Sequence, residues 1–267
     1  MSKPKVSIIT VCYNSAKTIE KNIVSVNNQT YKNIEHIFID GKSTDNTVNI
    51  IKKLSPTSKL ISEKDSGIYD AMNKGYKVAT GDIIGTLNSD DFYLDNNVIQ
   101  NIVDCFVNND IDYFCAKISF FDPDTGKFSH YFGDSPALKK NLKIMSIAHP
   151  TVYIRKDIVN KIGLYDISYK TASDYDWCMR LVQGNYRYYY LQKAIVVMNT
   201  GGASSKYYFN NLKEAYEIKC KLFPKKRFVF LVHRCEMLIK IFIRKTLEKM
   251  NFNSIVKWIR NSEGKLK

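Results

Sequence analysis

Short apolar runs alternate with amphipathic stretches over the first hundred residues of the chain. Residues 6–13 form a run rich in β-branched side chains, which is typical of a parallel strand buried on both faces. Further strands are predicted at 34–39, 59–62 and 82–87, and helices at 19–26, 48–54, 68–79 and 96–107. Asn14 or Ser15, and Ser43 or Thr44, are expected to cap the first two helices. This order predicts an α/β fold with an open parallel sheet covered on both faces.

The pattern changes beyond residue 110. Apolar runs at 113–121 and 127–132 flank a turn that contains Pro and Gly, which predicts a β-hairpin. The remaining predicted elements are a short strand at 151–155, a helical turn at 157–162, a helix at 174–183 and a strand at 187–198. No internal repeat is evident, so these elements are expected to extend the same domain.

Polar clusters follow the predicted strands at the point where each one ends. Tyr13-Asn14 follows the first strand, and the clusters at 40–45, 63–67 and 88–91 follow the next three. Ligands of open α/β sheets bind at the carboxyl ends of the strands. The sequence therefore predicts a binding site at that edge of the sheet.

Two adjacent carboxylates close the last of these clusters, Asn88-Ser89-Asp90-Asp91. Neighbouring carboxylates repel each other unless solvent or a cation screens their charge. A divalent ion held there would also bind the phosphates of a nucleotide. An Asp-rich turn or a helix cap explains the same residues without a ligand.

Asp40 ends the second predicted strand, within Asp40-Gly-Lys-Ser-Thr-Asp45. Its carboxylate can accept hydrogen bonds from a base or a ribose, and Gly41 lets the backbone approach a ligand closely. Ser43 and Asp45 are expected only to start the next helix. The position of Asp40 at a strand end favours a binding role over simple capping.

Four motifs occur in order along the chain: Tyr13-Asn14, Asp40-Gly41, Asp65-Ser-Gly-Ile-Tyr-Asp-Ala-Met-Asn-Lys-Gly75 and Ser89-Asp-Asp91. With them, residues 5–200 resemble the family 2 glycosyltransferases, which are inverting enzymes of the GT-A fold. The string that ends at Gly75 resembles the branch that builds bacterial surface polysaccharides, including the colanic-acid-type transferases. The resemblance implies a Rossmann-like, mostly parallel sheet in a catalytic domain over 1–205. Its nucleotide-sugar half would span about 1–110 and its acceptor half about 111–205.

The resemblance also implies a nucleoside diphosphate sugar as donor, linked to UDP or GDP. Tyr13 and Asp40 match positions that hold the base, and Asn14 lies beside them. Asp65 and Asn73 occupy the segment that lines the donor site, although Asn73 fits a helix-surface position equally well.

A Mn²⁺ or Mg²⁺ ion is implied by the same resemblance. Asp91 matches the direct metal ligand, and Asp90 matches the ribose or sugar contact. Ser89-Asp-Asp departs from a strict Asp-x-Asp, so the division of roles between the two acids stays open. A metal at this position stabilises the leaving diphosphate as negative charge develops.

Asp174, within Ala172-Ser-Asp-Tyr-Asp-Trp-Cys-Met-Arg180, matches the acid that relatives place beneath the acceptor. An acceptor hydroxyl is a poor nucleophile, so a carboxylate that removes its proton during attack aids the reaction. Asp176 is the rival for this role, and both acids also suit a helix N-terminus. His149 is expected near the acceptor and Arg180 in a structural ion pair. Residues 201–205 form either a loop that closes near the diphosphate or an ordinary linker.

The net charge of +14 is concentrated at the end of the chain. Residues 206–267 carry 16 Lys and Arg against 5 Asp and Glu, a net of +11, whereas residues 1–205 carry 24 against 21. Residues 228–247 predict an amphipathic helix. Its polar stripe comprises His233, Glu236, Lys240, Arg244 and Glu248, and its apolar face comprises Leu231, Cys235, Leu238, Ile239 and Phe242. Farther along, Trp258 is flanked by cations.

Two interpretations of this basic extension stay open. It packs on the catalytic domain, or it binds an anionic membrane through residues 225–267, where a lipid-linked acceptor would lie. No apolar stretch reaches the roughly 18 residues that span a bilayer, and no signal segment is evident. The six cysteines show no metal-binding spacing and are expected to be reduced. These features predict a cytoplasmic enzyme, peripheral on the inner membrane.

Two other functions use part of the same chemistry. A nucleotidyltransferase would favour a Gly-rich loop bearing Lys or Arg after the first strand, and residues 13–17 offer none. An inactive nucleotide-sugar-binding module is disfavoured because Asp90, Asp91 and Asp174 are retained. A nucleic-acid binder would present basic and aromatic residues on an exposed platform, and no nucleic-acid partner is predicted.

Overall fold

A nine-stranded mixed sheet organises the larger of two compact units, Met1–Lys206 and Tyr207–Lys267. The computed structural model describes residues 3–122, 126–136, 145–199 and 208–250. Its strands are β1 Val6–Cys12, β2 Ile34–Asp40, β3 Lys59–Ser62, β4 Ile83–Thr86, β5 Phe92–Tyr93, β6 Tyr113–Asp122, β7 Lys127–Phe132, β8 Tyr153–Arg155 and β9 Tyr188–Asn199. Its α-helices are α1 Ile19–Asn27, α2 Thr47–Leu54, α3 Ile68–Val78, α4 Val98–Asn108, α5 Lys156–Ile162, α6 Ser173–Gln183, α7 Tyr208–Leu222 and α8 Arg227–Lys249.

The first half of the sheet is parallel, as the sequence predicts. β3, β2, β1 and β4 lie side by side in that order. β1 is buried along its whole length, which explains its uninterrupted run of apolar and β-branched residues. Cys12 pairs with Asp40, and Asp40 pairs with Ser62. Three strands therefore end level, and the loops that follow them start at one edge.

The second half of the sheet contains antiparallel pairs that the sequence pattern does not predict. β8 runs antiparallel to both β4 and β6, and the predicted hairpin of β6 and β7 is confirmed. β9 lies parallel to β6, and its last residues also pair with β5. Because β5 begins directly after Asp91, its pairing with β9 brings the end of β9 close to the acidic pair Asp90-Asp91.

The four predicted caps, Asn14, Ser15, Ser43 and Thr44, do not cap the first two helices, whereas Asp45 accepts a hydrogen bond from the N–H of Thr47, the first residue of α2, at 3.0 Å. Neither the residue before α1 nor the residue before α2 makes a side-chain cap bond. The predicted caps instead join neighbouring loops through the contacts described below. The sequence-based prediction of these caps is therefore wrong, because tertiary partners take the side chains that local chemistry assigns to the helix ends.

Helix α3 packs very close to the sheet because Gly75 faces β1. A Cβ built on Gly75 would lie 2.4 Å from Cγ2 of Ile9, which is fully buried. Ile9, Ile37 and Ile39 belong to one apolar layer together with side chains of α3, α5 and α6. The close contact fixes the position of α3 against the centre of the sheet.

Two helices, α7 and α8, make up the described part of the smaller unit, joined by a 3₁₀ turn at Pro224–Lys226. The rings of Phe223 and Phe230 lie 6.5 Å apart, and the Arg234 guanidinium lies 5.0 Å from the Tyr216 ring. Across the part of the chain that the structure describes, every helix is too short or too polar to cross a bilayer. The predicted segments at 201–205 and around Trp258 lie outside the described residues, as do the side chains of Arg244 and Glu248.

Gly75→Ala is expected to destabilise the protein, although alanine favours a helix over glycine by about 1 kcal/mol. The added methyl group would overlap buried Ile9, and overpacking of this kind costs about 1–3 kcal/mol. Lys77→Ala, on the exposed side of the same helix, is the control and should change the free energy of unfolding by less than about 0.5 kcal/mol. Urea unfolding measures both changes. A Gly75→Ala protein as stable as the wild type would contradict the close contact.

Candidate active site

Asn14 ties the loop after β1 to the loop after β2. Its backbone is left-handed, with φ of 50°, a conformation that asparagine tolerates better than most residues. Its Oδ1 accepts hydrogen bonds from the backbone N–H groups of Thr44 (2.9 Å) and Asp45 (3.4 Å). Its own N–H donates to the Ser43 hydroxyl at 2.8 Å. The amide oxygen of Asn14 is therefore used to hold two loops together.

Asp40 is fully buried at the end of β2 and binds the loop that it begins. Its carboxylate accepts hydrogen bonds from the Ser43 N–H (3.0 Å), from the Ser43 hydroxyl and from the Ser62 hydroxyl (2.6 Å). These bonds hold the start of the loop after β2, and they do not cap α2, which begins only at Thr47. They also join the second and third loops.

Tyr13, Gly41 and Asp65 crowd together at this edge of the sheet. A Cβ built on Gly41 would lie 2.5 Å from Oδ2 of Asp65 and 3.4 Å from Cδ2 of Tyr13, so a larger residue there would displace the Asp65 carboxylate. Asp65 in turn accepts a hydrogen bond from the Gly67 N–H at 2.9 Å, one residue before α3. Tyr13 is 64% exposed and presents an aromatic ring to solvent beside a carboxylate.

The loop after β4 holds a buried acid pair. Asp91 is 1% exposed. Burial raises its pKa well above the usual value, the charge of Asp90 raises it further, and a hydrogen bond from Nδ2 of Asn88 (3.2 Å) opposes the shift. Burial also raises the pKa of Asp90. Oδ1 of Asn88 is buried and has no hydrogen-bond partner within the described ranges. One loop therefore concentrates three oxygen-bearing side chains whose charge or hydrogen-bonding capacity is poorly satisfied by the described residues.

Asn22, which the sequence analysis did not single out, braces this acidic loop. It is fully buried in α1, and its Nδ2 donates to the backbone carbonyls of Asn88 (2.9 Å) and Asp91 (3.1 Å). The sequence does carry a signal for it. Asn22 interrupts the apolar face that Ile19 and Ile23 define, and a buried amide requires hydrogen-bond partners.

Two further contacts hold the same loop from other sides. The hydroxyls of Ser15 and Ser89 lie 2.9 Å apart, which links the loop after β1 to the loop after β4. Nδ2 of Asn199, the last residue of β9, donates to the carbonyl of Asp90 at 2.7 Å. The acid pair is therefore fixed by residues from both halves of the larger unit.

Asp174 lies half-buried in the first turn of α6. Its Oδ1 accepts hydrogen bonds from the Tyr69 hydroxyl (3.0 Å) and from the Tyr175 N–H (2.9 Å). Its Oδ2 accepts none from the residues that the structure describes. Tyr69 is in the first turn of α3, which follows the loop of Asp65, so Asp174 is joined to the edge where β1, β2 and β3 end.

Asp176 is directed to a different partner. It is buried, and its Oδ2 lies 2.8 Å from Nε of Arg180. Arg180 also donates to the carbonyls of Ile162 and Leu164. The predicted ion pair of Arg180 is therefore present, and its partner is Asp176.

His149 and Asn73 are both buried and serve the packing around Tyr165. Nε2 of His149 lies 2.6 Å from the Tyr165 hydroxyl. Burial lowers the pKa of His149, and the negative charge of Asp174 acts in the opposite direction. The Asn73 amide donates to the Tyr165 carbonyl and accepts from the Tyr165 N–H, both at 2.9 Å. The side chains of His149 and Asn73 thus both bond Tyr165, and their contacts with the acceptor and the donor stay predictions.

The sequence profile described as "Glycosyl transferase family 2" matches residues 7–163, more than half of the chain. The chain belongs to glycosyl transferase family 2. The match runs from β1 to the end of α5, so it includes the acidic loop, whereas Asp174 lies beyond it.

Curated relatives of this glycosyltransferase come from bacteria. A PGL/p-HBAD biosynthesis glycosyltransferase of Mycobacterium bovis is 27% identical over 184 residues, which cover 67% of this chain and 70% of the relative. An uncharacterized glycosyltransferase of Mycobacterium tuberculosis is 30% identical over 187 residues, which cover 67% of this chain and 69% of the relative. These relatives support the assignment of the chain as a glycosyltransferase enzyme.

Solved structures of glycosyltransferases share the fold. The S. aureus TarS fragment 1–349 in complex with UDP-GlcNAc superposes with a TM-score of 0.66 at 21% identity, covering 80% of this chain and 64% of that chain. The match to a longer TarS chain covers only 39% of that chain. The mannosyltransferase PcManGT from Pyrobaculum calidifontis, in complex with GDP-Man and Mn²⁺, gives a TM-score of 0.65 at 15% identity, covering 88% and 70%. The expected GT-A fold is thereby confirmed for this family 2 enzyme.

Asp91→Asn is expected to stabilise the metal-free protein at neutral pH. The wild-type carboxylate is buried with one amide donor and a charged neighbour, so a neutral residue of the same shape should gain about 1–2 kcal/mol. Because its pKa is raised in the folded state, the wild type loses stability as pH rises through that pKa, and the difference should shrink at mildly acidic pH.

Urea unfolding in the presence of EDTA tests this expectation. Asp104→Asn, the same substitution on the exposed face of α4, is the control and should shift the free energy of unfolding by less than about 0.5 kcal/mol. A loss of stability in Asp91→Asn at neutral pH would contradict the description of Asp91 as an uncompensated buried charge.

Proposed function

We propose that this family 2 enzyme transfers a sugar from a nucleoside diphosphate sugar to an acceptor hydroxyl with inversion at the anomeric carbon. The observation that carries the proposal is the buried acid pair of Asp90 and Asp91 beside the unpaired Oδ1 of Asn88. Such a loop disfavours its own negative charge unless a cation binds there. The ligands bound in the two solved structures, UDP-GlcNAc in TarS and GDP-Man with Mn²⁺ in PcManGT, are consistent with this substrate class.

The residues of this loop suit Mn²⁺ or Mg²⁺, which take oxygen ligands. In the proposal, Asp91 is the direct ligand, and Asp90 and Asn88 Oδ1 supply further oxygens or bind the ribose. Within the described ranges, no group of three or more Asp, Glu, His or Cys side chains is placed to hold an ion, so the donor's phosphates would complete the coordination. When bound, the metal supplies the positive charge that stabilises the leaving diphosphate.

The donor's base is proposed to lie at the neighbouring loops. The exposed ring of Tyr13 offers a stacking surface, and Asp65 Oδ2 lies on the other side of Gly41. Asp40 is fully buried and already accepts hydrogen bonds from Ser43, Ser62 and the Cys12 thiol, so in the proposal a base N–H would share one of its carboxylate oxygens. Asn14 acts on the donor indirectly, because it sets the distance between these loops.

Asp174 is proposed as the general base. Its Oδ2, which is free of hydrogen bonds from the described residues, takes the proton of the acceptor hydroxyl as that oxygen bonds to the anomeric carbon. The bond from the anomeric carbon to the diphosphate breaks on the opposite face, and its electron pair leaves with the nucleoside diphosphate. Asp176 is unsuited to this role because Arg180 holds its carboxylate.

The release of UDP or GDP from a panel of nucleotide sugars tests the proposal. The wild type should hydrolyse at least one donor in the presence of Mn²⁺, and EDTA should abolish this turnover. Asp91→Asn should lose metal-dependent turnover, and Asp174→Asn should lower kcat about 10²- to 10⁴-fold without loss of donor binding. Asp176→Asn is the matched control, which should lower the unfolding midpoint but retain kcat.

Two outcomes of this assay would favour other functions. Nucleotide-dependent thermal stabilisation without turnover in any arm would indicate an inactive nucleotide-sugar-binding module. Release of pyrophosphate from a nucleoside triphosphate and a sugar phosphate would indicate a nucleotidyltransferase. Neither binding nor turnover with any UDP- or GDP-sugar would reject the proposed donor class.

The acceptor is proposed to be a lipid-linked sugar of surface polysaccharide synthesis, presented at the cytoplasmic face of the inner membrane. The smaller unit supports this placement. Phe230 and Ile241, three helical turns apart, are the buried side of α8. Large apolar side chains on its other sides are exposed, and we call them the α8 apolar face: Phe228, Leu231, Val232, Leu238, Ile239, Phe242 and Ile243. Cations border this face, including Arg227, Arg234 and Lys240, so the surface suits anionic lipid headgroups.

Sedimentation with phosphatidylglycerol vesicles tests the membrane proposal. The wild type should bind them, bind phosphatidylcholine vesicles less, and release both at high salt. Phe228→Ser combined with Phe242→Ser, which are 77% and 73% exposed, should reduce binding at least about tenfold, since each buried aromatic contributes about 1.5–3 kcal/mol. Val107→Ser, an exposed apolar residue of α4 (64% exposed), is the control. Equal binding by all three proteins would reject the α8 apolar face as the membrane-binding surface.

A further inference from the structure

Tyr69 makes a contact that the proposed chemistry has not yet used. Its hydroxyl donates to Oδ1 of Asp174 at 3.0 Å, although the two residues are 105 positions apart in the chain. The Tyr175 N–H donates to the same oxygen at 2.9 Å. Both donors converge on Oδ1, so the carboxyl group is held in one rotation with Oδ2 directed away from them.

The Tyr69 ring is itself held in place. Tyr69 is 8% exposed, and its ring stacks on Tyr165 with 5.8 Å between the centroids. Tyr165 is fixed through its backbone by Asn73, one turn farther along α3, and through its ring by Trp177 at 5.4 Å. Tyr165 contacts both α3, through Asn73, and α6, through Trp177. These contacts fix the spacing between the helix that carries Tyr69 and the helix that carries Asp174.

We propose that Tyr69 is a positioning residue that orients the carboxylate of Asp174 so that Oδ2 faces the acceptor hydroxyl. This inference rests on the proposed role of Asp174 as the base. A base must lie within hydrogen-bond reach of the proton that it removes, and a carboxylate free to rotate spends much of its time in unproductive orientations. A donor to Oδ1 also stabilises the ionised carboxylate, which is the form that accepts a proton.

The same contact links the two substrates of the proposed reaction. Asp65 and Gly67 form the loop that leads directly into α3, and Tyr69 lies two residues beyond Gly67. A shift of this loop on donor binding would therefore move the Tyr69 hydroxyl. The orientation of Asp174 would thus depend on the segment proposed to line the donor site.

The test compares Tyr69→Phe with Tyr76→Phe in the full-length protein. Tyr76 belongs to the same helix and is buried, and its hydroxyl bonds Thr86 (3.5 Å) and Tyr165 but not Asp174, so this variant measures the effect of losing a buried hydroxyl beside Tyr165. Turnover is followed as nucleotide release from UDP-GlcNAc or GDP-Man with Mn²⁺. Tyr69→Phe should lower kcat about 10- to 100-fold, with the donor KM unchanged. The acidic limb of its pH–rate profile should move to higher pH, because the ionised carboxylate has lost a donor. Tyr76→Phe should leave kcat and the profile unchanged.

A double-substitution cycle separates positioning from a general packing effect. If Tyr69 acts through Asp174, then Tyr69→Phe should lower kcat little further in an Asp174→Asn background. The inference would be overturned if the double variant lost kcat by the product of the two single losses. It would also be overturned if Tyr69→Phe kept the wild-type kcat and pH profile. A wild type that turns over no donor would instead contradict the proposed function, so the two failures are distinguishable.

Discussion

The level ending of the parallel strands is the constraint on which the site depends. Cys12, Asp40 and Ser62 lie side by side across β1, β2 and β3, so three successive loops leave the sheet at one edge. Residues far apart in sequence, such as Tyr13 and Asp65, therefore meet there. A slip of one residue in either strand pair would reverse the faces of the strand and separate them.

Neutral amide side chains make several of the hydrogen bonds that hold the loops at this edge. Asn14 joins two loops, Asn22 braces the acidic loop, and Asn73 holds the backbone of Tyr165. An amide can donate and accept at once without adding charge. Within the described residues, the negative charge of Asp91 is therefore left without a compensating cationic side chain, and one oxygen of Asp174 accepts no hydrogen bond, which is the state that both proposed roles require.

The sequence was sufficient for the order and bounds of most elements, because buried parallel strands and amphipathic helices leave strong periodicity. β8 was predicted as a short strand at 151–155, but the direction and partners of so short a strand leave no pattern, so its antiparallel pairing with β4 and β6 was not predictable. Asp174 and Asp176 could not be separated by sequence either. Two residues apart on a helix, they point about 200° away from each other, and only the packing of α6 decides which one meets Tyr69 and which one meets Arg180.

The bond from Asn199 to the carbonyl of Asp90 spans 109 residues, and the pairing of β9 with β5 spans a similar distance. Contacts so remote in sequence form late in folding, because the entropy of a long stretch of chain must be lost before these contacts contribute to stability. During synthesis, the parallel half of the sheet can assemble well before the ribosome has delivered β9. The loop of Asp90 and Asp91 would therefore reach its final shape only after β9 has been synthesised, so the acidic cluster is complete once both halves of the larger unit are in place.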